Sequence, residues 1–411
     1  MICSTMQKSD IRVAVIGAGP AGLMAAGVLA AAGVAVHLFD AMPAAGRKFL
    51  VAGRGGLNLT NAEEPAAFVA RYGEQADFFR GILADFSPAD LRRWCRDLGV
   101  DTYVGSSGKV FPRQAGARDL LTAWLEHLKQ GGVMFHFQHR WQGVAADNAP
   151  LFLTANGDRL AFPASAILLA LGGASWPQTG SDGAWAEVLA ARGVCCTPFR
   201  PANCGIEVTW SAHFRERFAG APLKNLQLRC GDRQAVGEVV ITGYGLEGGG
   251  IYQLIPALRQ ALDQERPAFL FLDLKRDLTV AQLLEKFIKK RRSDTLANFL
   301  RKSLRLAGPA YSLLREFGGQ AQLTDPVELA RCIKNLPVPV SGLQPLVEAI
   351  STAGGIAMAE LDENLMLIRL PGFFAAGEML DWEAPTGGYL LQGAFSTGYR
   401  AAGGILRWLR R

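Results

Sequence analysis

Residues 17 to 22 read Gly17-Ala18-Gly19-Pro20-Ala21-Gly22. This G-x-G-x-x-G offers backbone rather than side chains. Gly17 permits a tight turn, Gly19 lets the backbone approach a bulky anion, and Gly22 lets the next helix pack on the preceding strand. Pro20 suits a first helical position, with Ala21 after it. Free N–H groups and the helix dipole at that terminus attract phosphate. Asp40 stands about twenty residues on, where a carboxylate accepts hydrogen bonds from both ribose hydroxyls and repels a 2′-phosphate. The chemistry is dinucleotide binding, and NADP is disfavoured at this position.

These residues need a strand, a turn, a helix and a second strand in succession. Ile11 to Ile16 is a branched apolar run fit for a buried parallel strand. Leu23 to Ala32 is alanine-rich and helical, with Gly33 as its stop. Val34 to Phe39 reads as the second strand, ended by Asp40. The whole unit is far more specific than its glycines alone.

The fingerprint does not separate FAD from NAD, but three further stretches do. Arg47 and Lys48 can neutralise phosphate. The loop Gly53-Arg54-Gly55-Gly56 can turn backbone N–H groups towards a ligand. Asn58, Thr60 and Asn61 then add groups able to donate and accept. An NAD dehydrogenase does not need such a loop directly after its first βαβ unit, whereas extended FAD runs on towards it. The apolar run ending at Gly172-Gly173 can contact the adenosine half or the flavin. Glu378, after Gly377, is placed for a ribityl hydroxyl. Gly387-Gly388 opens a last helix whose N-terminus can face the flavin pyrimidine edge. The expected cofactor is FAD, with NADH or NADPH as a transient donor.

The chain has 411 residues, 49% apolar and 19% charged, enough for a large core and two or three domains. The net charge of +6 fits ordinary surface solubility. Seven scattered cysteines with no C-x-x-C argue against a disulfide framework, a zinc ribbon or a dithiol redox pair, and no metal is expected. Lys8, Asp10 and Arg12 flank a short apolar run that is no signal peptide. The run Leu23 to Phe39 is too broken to cross a membrane. A cytoplasmic protein without membrane partners is expected.

The texture changes near residue 195, where prolines and strand-like segments such as "LQLRC" and "EVVITGYG" enter. The fold class expected is α/β, a Rossmann-like FAD-binding domain interrupted by a β-barrel-like insertion with a helical part. Residues 1–194 and 351–411 form the discontinuous domain. Residues 195–350 form the insertion, barrel-like over 195–275 and 319–350 and helical over 276–318.

Six stretches carry a family resemblance: "GAGPAGLMAA", "GRKFLVAGRGGLNLTN", "GGASWPQTGSDG", "ITGYGLEGGGIYQL", "TAGGIAMAELDENLM" and "AAGEMLDWEAPTGGYLLQGAFSTGYRAA". Together they resemble the HI0933/YhiN-like family of bacterial flavoproteins, within the glutathione-reductase-type FAD-binding fold. The resemblance spans nearly the whole chain. It implies an FAD domain interrupted by a barrel-like insert, and relatives with names such as steroid-acid enone reductase (BaiN-like) and aminoacetone oxidase. Three places depart from the family pattern, one of them the loop after Thr179-Gly180, which is shorter than usual. Gly56-Leu57 stands where members carry Arg-Cys, and Tyr244 with Glu247-Gly248-Gly249 replaces a His-Gly and Ser-Gly-Pro pattern.

One fingerprint and no dithiol argue against a disulfide reductase, and a nicotinamide that reduces the flavin must share the substrate face. The leading expectation is an FAD-dependent oxidoreductase passing hydride from NAD(P)H through flavin to a small organic substrate. A flavin amine oxidase-like enzyme is the first alternative. The second is an RNA-binding, tRNA-modifying flavoprotein, raised by the basic stretch 285–306, whose apolar positions fit an amphipathic helix, although a solvated face explains such a stretch more simply and nucleic acid is not the expected partner. Tyr389 and Tyr244 are weak catalytic candidates. Trp176 could flank the flavin or simply pack, and the five histidines lie outside the flavin motifs.

Overall fold

The computed structural model describes residues 11–264, 267–291, 293–319 and 323–411. Cys3, Lys8, Asp10 and the Arg292 of the basic stretch lie outside the described residues. The chain forms two compact units. One comprises the chain up to Arg200 together with Ser351–Arg411, and the other is Pro201–Ile350.

The first unit is built on a five-stranded parallel sheet. β1 (Arg12–Ile16) pairs with β2 (Ala35–Asp40) on one side and with the strand Ala166–Leu169 on the other. The strand Met134–Phe137 extends the sheet beyond β2, and Phe373–Ala375 closes the far edge. Val13 to Ile16, Ala166 to Leu169 and Phe373 to Ala375 are buried without alternation, because both faces of a parallel sheet are covered. The turn after β1 leads into α1 (Pro20–Ala31), which begins with proline and is apolar on all sides. It packs on the C-terminal helix Tyr389–Trp408. A Cβ at Gly398 would meet the Ala21 carbonyl oxygen at 2.3 Å, so glycine sets the approach of the two helices. Between β2 and the amide-rich loop lies α2 (Arg47–Ala52).

The second unit contains a seven-stranded antiparallel sheet with Leu336–Val340 at one end of its order and Gly342–Leu343 at the other. Only Ser341 separates these two edge strands along the chain. One continuous segment therefore serves both edges, and the sheet curls in the barrel-like way. Helices Val280–Ile288, Leu296–Leu304 and Pro309–Phe317 pack their apolar faces into the unit's core.

Two features differ from the sequence reading. The stretch 285–306 is not one helix. The first helix ends at Ile288, and a second starts at Leu296 because the Thr295 side chain accepts the Asn298 N–H as a cap. Helices Ala212–Phe218, Ile255–Asp263 and, capped by Asp325, Pro326–Lys334 stand within the spans read as barrel-like. Ser211 caps the first, and Pro256 opens the first turn of the second.

Candidate functional site: the glycine turn and the Lys48–Glu378 network

The C-terminal ends of β1, β2 and Ala166–Leu169 converge on the glycine turn. Gly17 has φ +110°, and a Cβ there would lie 2.1 Å from the Ala170 carbonyl oxygen. A Cβ at Gly22 would lie 1.9 Å from the Gly17 carbonyl oxygen. Both glycines are demanded by the protein's own packing. Gly19 is different. Its backbone is extended, with φ −84°, and nothing approaches a Cβ built there within 4 Å. The space over Gly19, in front of the α1 N-terminus, is open to an anion.

Asp40 accepts the Ala18 N–H and the Met42 N–H, both at 2.7 Å. It fixes the turn by holding both of these backbone groups. Burial pushes its carboxyl pKa up, opposed by those two N–H groups and by the Arg47 and Arg140 guanidiniums.

Lys48 and Glu378 meet directly. The Lys48 Nζ donates to Glu378 Oε2 and to Ser175 Oγ, each at 2.7 Å. Glu378 Oε1 accepts the Thr352 N–H at 3.0 Å, and the Thr352 hydroxyl accepts the Ala174 N–H at 2.9 Å. Gly173 lies against both, since a Cβ there would meet Thr352 Oγ1 at 2.5 Å and the Glu378 carboxyl carbon at 3.2 Å. Gly172 and Gly173 are held by Trp185, which donates to the Gly172 carbonyl, and by Ser181, which donates to that of Gly173. Gly377 donates its N–H to the Thr397 hydroxyl at 3.0 Å.

The amide-rich loop docks on the start of the C-terminal helix. Asn61 donates to the Gly387 carbonyl at 3.2 Å, and Gly388, at φ +98°, lies so close to Thr60 that a Cβ would meet its backbone at 2.4 Å. Asn58 donates to the carbonyls of Thr60 and Val110. Its Oδ1 and the Thr60 hydroxyl are buried with no partner, as is Arg47 Nε. Buried polar atoms are normally satisfied, so these three call for a polar ligand or water. Gly55 and Gly56 both have positive φ and open surroundings, with nothing nearer than 3.7 Å to a Cβ.

Tyr389 is buried, and its hydroxyl donates to Glu63 Oε2 at 2.7 Å. Glu63 also accepts from Arg71, whose guanidinium lies 5.8 Å from the Tyr389 ring centre. Burial and the Glu63 carboxylate raise the Tyr389 pKa far above its ordinary value. Tyr244 belongs to the second unit, where its hydroxyl donates to Glu247 at 2.6 Å. Trp176 adopts φ +58°, rare for a bulky residue, and its carbonyl accepts both the N–H and the hydroxyl of Thr179. His37 and His136 share a 3.0 Å hydrogen bond away from this network. Among the described residues no group of three or more His, Cys, Asp or Glu is placed to hold a metal, and no helix is long and apolar enough to cross a membrane.

The structure thus brings together Gly17, Gly19, Gly22 and Asp40 at one turn. It joins Lys48, Gly173 and Glu378 in a second cluster, and Asn58, Thr60, Asn61, Gly387 and Gly388 in a third. Ser175, Thr352 and Thr397 complete these clusters and were not singled out from the sequence. Each is a buried hydroxyl, Ser175 by itself and Thr352 and Thr397 beside the buried Ser351 and Ser396, and polar residues inside such apolar segments are the signal that could have found them.

A parallel sheet with a glycine-turn anion cradle defines an α/β protein of the Rossmann-like nucleotide-binding class. The HI0933-like protein Rossmann domain matches residues 11–404, and the chain belongs to that family. It is 27% identical over 409 residues to a 3-dehydro-bile acid delta(4,6)-reductase of Clostridium scindens, covering 95% of this chain and 98% of the relative. It is 25% identical over 403 residues to the ribosomal RNA dihydrouridine synthase of Escherichia coli, covering 94% and 96%. Among solved structures, it resembles the 3-ketosteroid delta1-dehydrogenase of Sterolibacterium denitrificans with a TM-score of 0.54 at 13% identity, covering 96% of this chain and 99% of that one. A flavocytochrome c3 fumarate reductase gives a TM-score of 0.53 at 15% identity, covering 97% and 79%. These likenesses agree with the α/β fold expected from the sequence.

Proposed function

We propose that this protein is an FAD-dependent oxidoreductase that uses NADH or NADPH to saturate a carbon–carbon double bond conjugated to a carbonyl. The carrying observation is chemical. The two curated relatives named above have very different substrates in their names but share one bond change. A 3-oxo Δ4,6-steroid and a uracil ring both present a C=C in conjugation with C=O. Each can be saturated by conjugate addition, with hydride going to a carbon that the carbonyl activates through the conjugated system and a proton to the carbon beside it on the carbonyl side.

The residues fit FAD. The open space at Gly19, the clear backbone at Gly55 and the unpartnered Asn58 Oδ1 and Thr60 Oγ1 match an extended polar ligand. Bound FAD would supply the hydride transfer itself. Gly17, Gly19, Pro20, Ala21 and Gly22 would hold its pyrophosphate at the α1 N-terminus. Asp40 orders the turn through Ala18 and Met42 and keeps its remaining lone pairs for the ribose. Lys48 holds Glu378 in one orientation, so that the carboxylate presents a fixed acceptor to a ribityl hydroxyl. Gly387 and Gly388 set the start of the C-terminal helix against Thr60, and the N–H groups of that helix would stabilise negative charge on a bound reduced flavin. The first unit is the cofactor domain and residues 201–350 the substrate-side insertion. Tyr389, committed to Glu63, serves this site by placing the loop rather than by donating a proton.

The test is a visible spectrum of the purified protein before and after anaerobic NADH or NADPH, followed by a 4-ene-3-oxo steroid. Bleaching by a nicotinamide and recolouring by the enone is the expected result. A protein that carries no flavin and takes up none overturns the proposal. Peroxide formed with amines, without bleaching by nicotinamides, favours the oxidase alternative.

A second reading is a uridine reductase acting on RNA. It is favoured by the relatives named for ribosomal RNA, from Escherichia coli and, at 23% identity, Haemophilus influenzae. Lys289, Lys290, Arg291, Arg301, Lys302 and Arg305 are exposed around the two helices of the basic stretch, beside Ile288 at 84% exposure. Binding to ribosomal RNA that weakens steeply with salt, and weakens further in Lys289→Gln/Lys290→Gln, is expected on this reading. No binding at low salt ends it.

A further inference from the structure

The first unit contains an open pocket of about 480 Å³ whose lining includes neither Lys48 nor Glu378. Its walls are Arg47, Leu50, Val51, Gly53 and Arg54 from α2 and its end, Gly116, Ala117 and Arg118 from the start of the helix Ala117–Gln130, and Thr179. Three guanidiniums line it, and no carboxylate does. Among the described residues none of the three has an ion-pair partner. Arg47 makes one long contact, 3.5 Å to the Gln178 carbonyl, and its buried Nε has no partner at all. The first turn of a 14-residue helix adds its dipole. The nearby acid is Asp119, exposed, whose Oδ2 accepts the Gly116 N–H at 2.6 Å as a cap. The approach of the two helices is built in, since a Cβ at Gly53 would lie 2.3 Å from that of Ala117.

The geometry points to a second anion site, in which Arg47, Arg54 and Arg118 bind the phosphate of an organic phosphate ester, separate from the FAD pyrophosphate at Gly19. Unpaired guanidiniums in a concave site cost free energy by mutual repulsion, and a phosphate ester relieves it with bidentate hydrogen bonds. Leu50, Val51 and Ala117 give the ester's organic part an apolar wall. The volume lies in the range of small-molecule sites. The site therefore withdraws Arg47 and Arg54 from the FAD contacts expected of them. Two sources carry this chemistry on the proposed function, on which the choice between them rests: the phosphates of a nicotinamide dinucleotide, and the backbone of a nucleic acid.

The experiment uses the flavin-loaded protein and inorganic pyrophosphate as probe, followed by calorimetry, with flavin content read from the absorption spectrum. Wild type is expected to bind pyrophosphate at one site. Arg54→Gln/Arg118→Gln should weaken it at least tenfold while flavin content stays at the wild-type level, and Arg118→Lys should recover part of the loss. Displacement of the probe by NADPH but not by a ribosomal RNA fragment assigns the site to the electron donor. Displacement by the RNA alone assigns it to a nucleic acid. Three results overturn the inference: no binding to wild type, equal binding to the double variant, or loss of flavin from the double variant, which would return these arginines to the cofactor. Pyrophosphate binding that neither ligand displaces marks an adventitious ion only and overturns it as well. Because the probe is read by heat and needs no turnover, failure here leaves the proposed reaction standing, and failure of the reaction leaves this site standing.

Discussion

Replacing Gly19 by serine separates the two tasks of the glycine turn. Gly19 caps α1 in extended backbone that any residue adopts, and no protein atom lies within 4 Å of an added Cβ. Serine at a helix cap is at least as good as glycine, so the stability of the cofactor-free protein should rise by roughly a few tenths of a kcal/mol. The same Cβ and hydroxyl enter the space that the pyrophosphate must occupy. Loss of one charge-assisted hydrogen bond costs about 1.5–3 kcal/mol. FAD affinity should therefore fall on the order of ten- to a hundredfold. Gly22→Ala should behave in the opposite way. Its Cβ would sit 1.9 Å from the Gly17 carbonyl oxygen, backbone that cannot swing aside, and overpacking of about 1–3 kcal/mol should appear without any cofactor. Urea denaturation of the FAD-free variants and fluorescence titration with FAD measure the two quantities. If Gly19→Ser binds FAD like the wild type, the pyrophosphate does not lie at this turn. If it destabilises the free protein as much as Gly22→Ala, the distinction between packing glycine and cradle glycine is wrong.

Gly388→Ala places a Cβ 2.4 Å from the Thr60 backbone at φ +98°, and should cost about 2–4 kcal/mol in denaturant unfolding; an unchanged midpoint would contradict the close packing described. A double-mutant cycle of Lys48→Met and Glu378→Leu should return a coupling of about 1 kcal/mol, because the pair is only partly exposed, and additivity would mean that the pair does not persist in solution. The Arg71 guanidinium holds the Glu63 carboxyl below its ordinary 4.5, against burial and with help from the Tyr389 hydroxyl. A carboxyl depressed in the fold stabilises it above the unfolded pKa and loses that contribution as pH falls through the folded one. Glu63→Gln should thus flatten the stability curve below pH 4.5, and superimposable acid limbs would rule this out.

The glycine turn was legible because its residues serve constraints that act within a few positions. Gly17 needs positive φ and Gly22 a missing Cβ, whatever the rest of the chain does. The partnership of Lys48 with Glu378 was not legible, although both were singled out, because it joins residues 330 positions apart. Each was read as a separate ligand contact, and the fold makes them hold one another. Thr352 and Thr397 escaped for a related reason. A threonine in a buried strand or helix looks like ordinary β-branched packing until the backbone N–H that it satisfies is known. The break in the basic stretch was written at Thr295 as a helix cap, but the apolar period continues across it and outweighed that local sign.

The strand Phe373–Ala375 has a consequence for how the chain can be made. It closes the sheet edge beside Ala166–Leu169, yet it arrives roughly two hundred residues later, after the whole second unit. A ribosome that has released everything up to Ile350 has therefore produced a first unit with one apolar strand edge bare and without the helix that covers α1. Glu378, Gly387 and Gly388 are also still to come. The FAD site as proposed cannot exist at that stage, so cofactor capture belongs to the last step of synthesis. A chain cut short before Phe373 would leave an unpaired strand edge open to aggregation rather than a weaker enzyme.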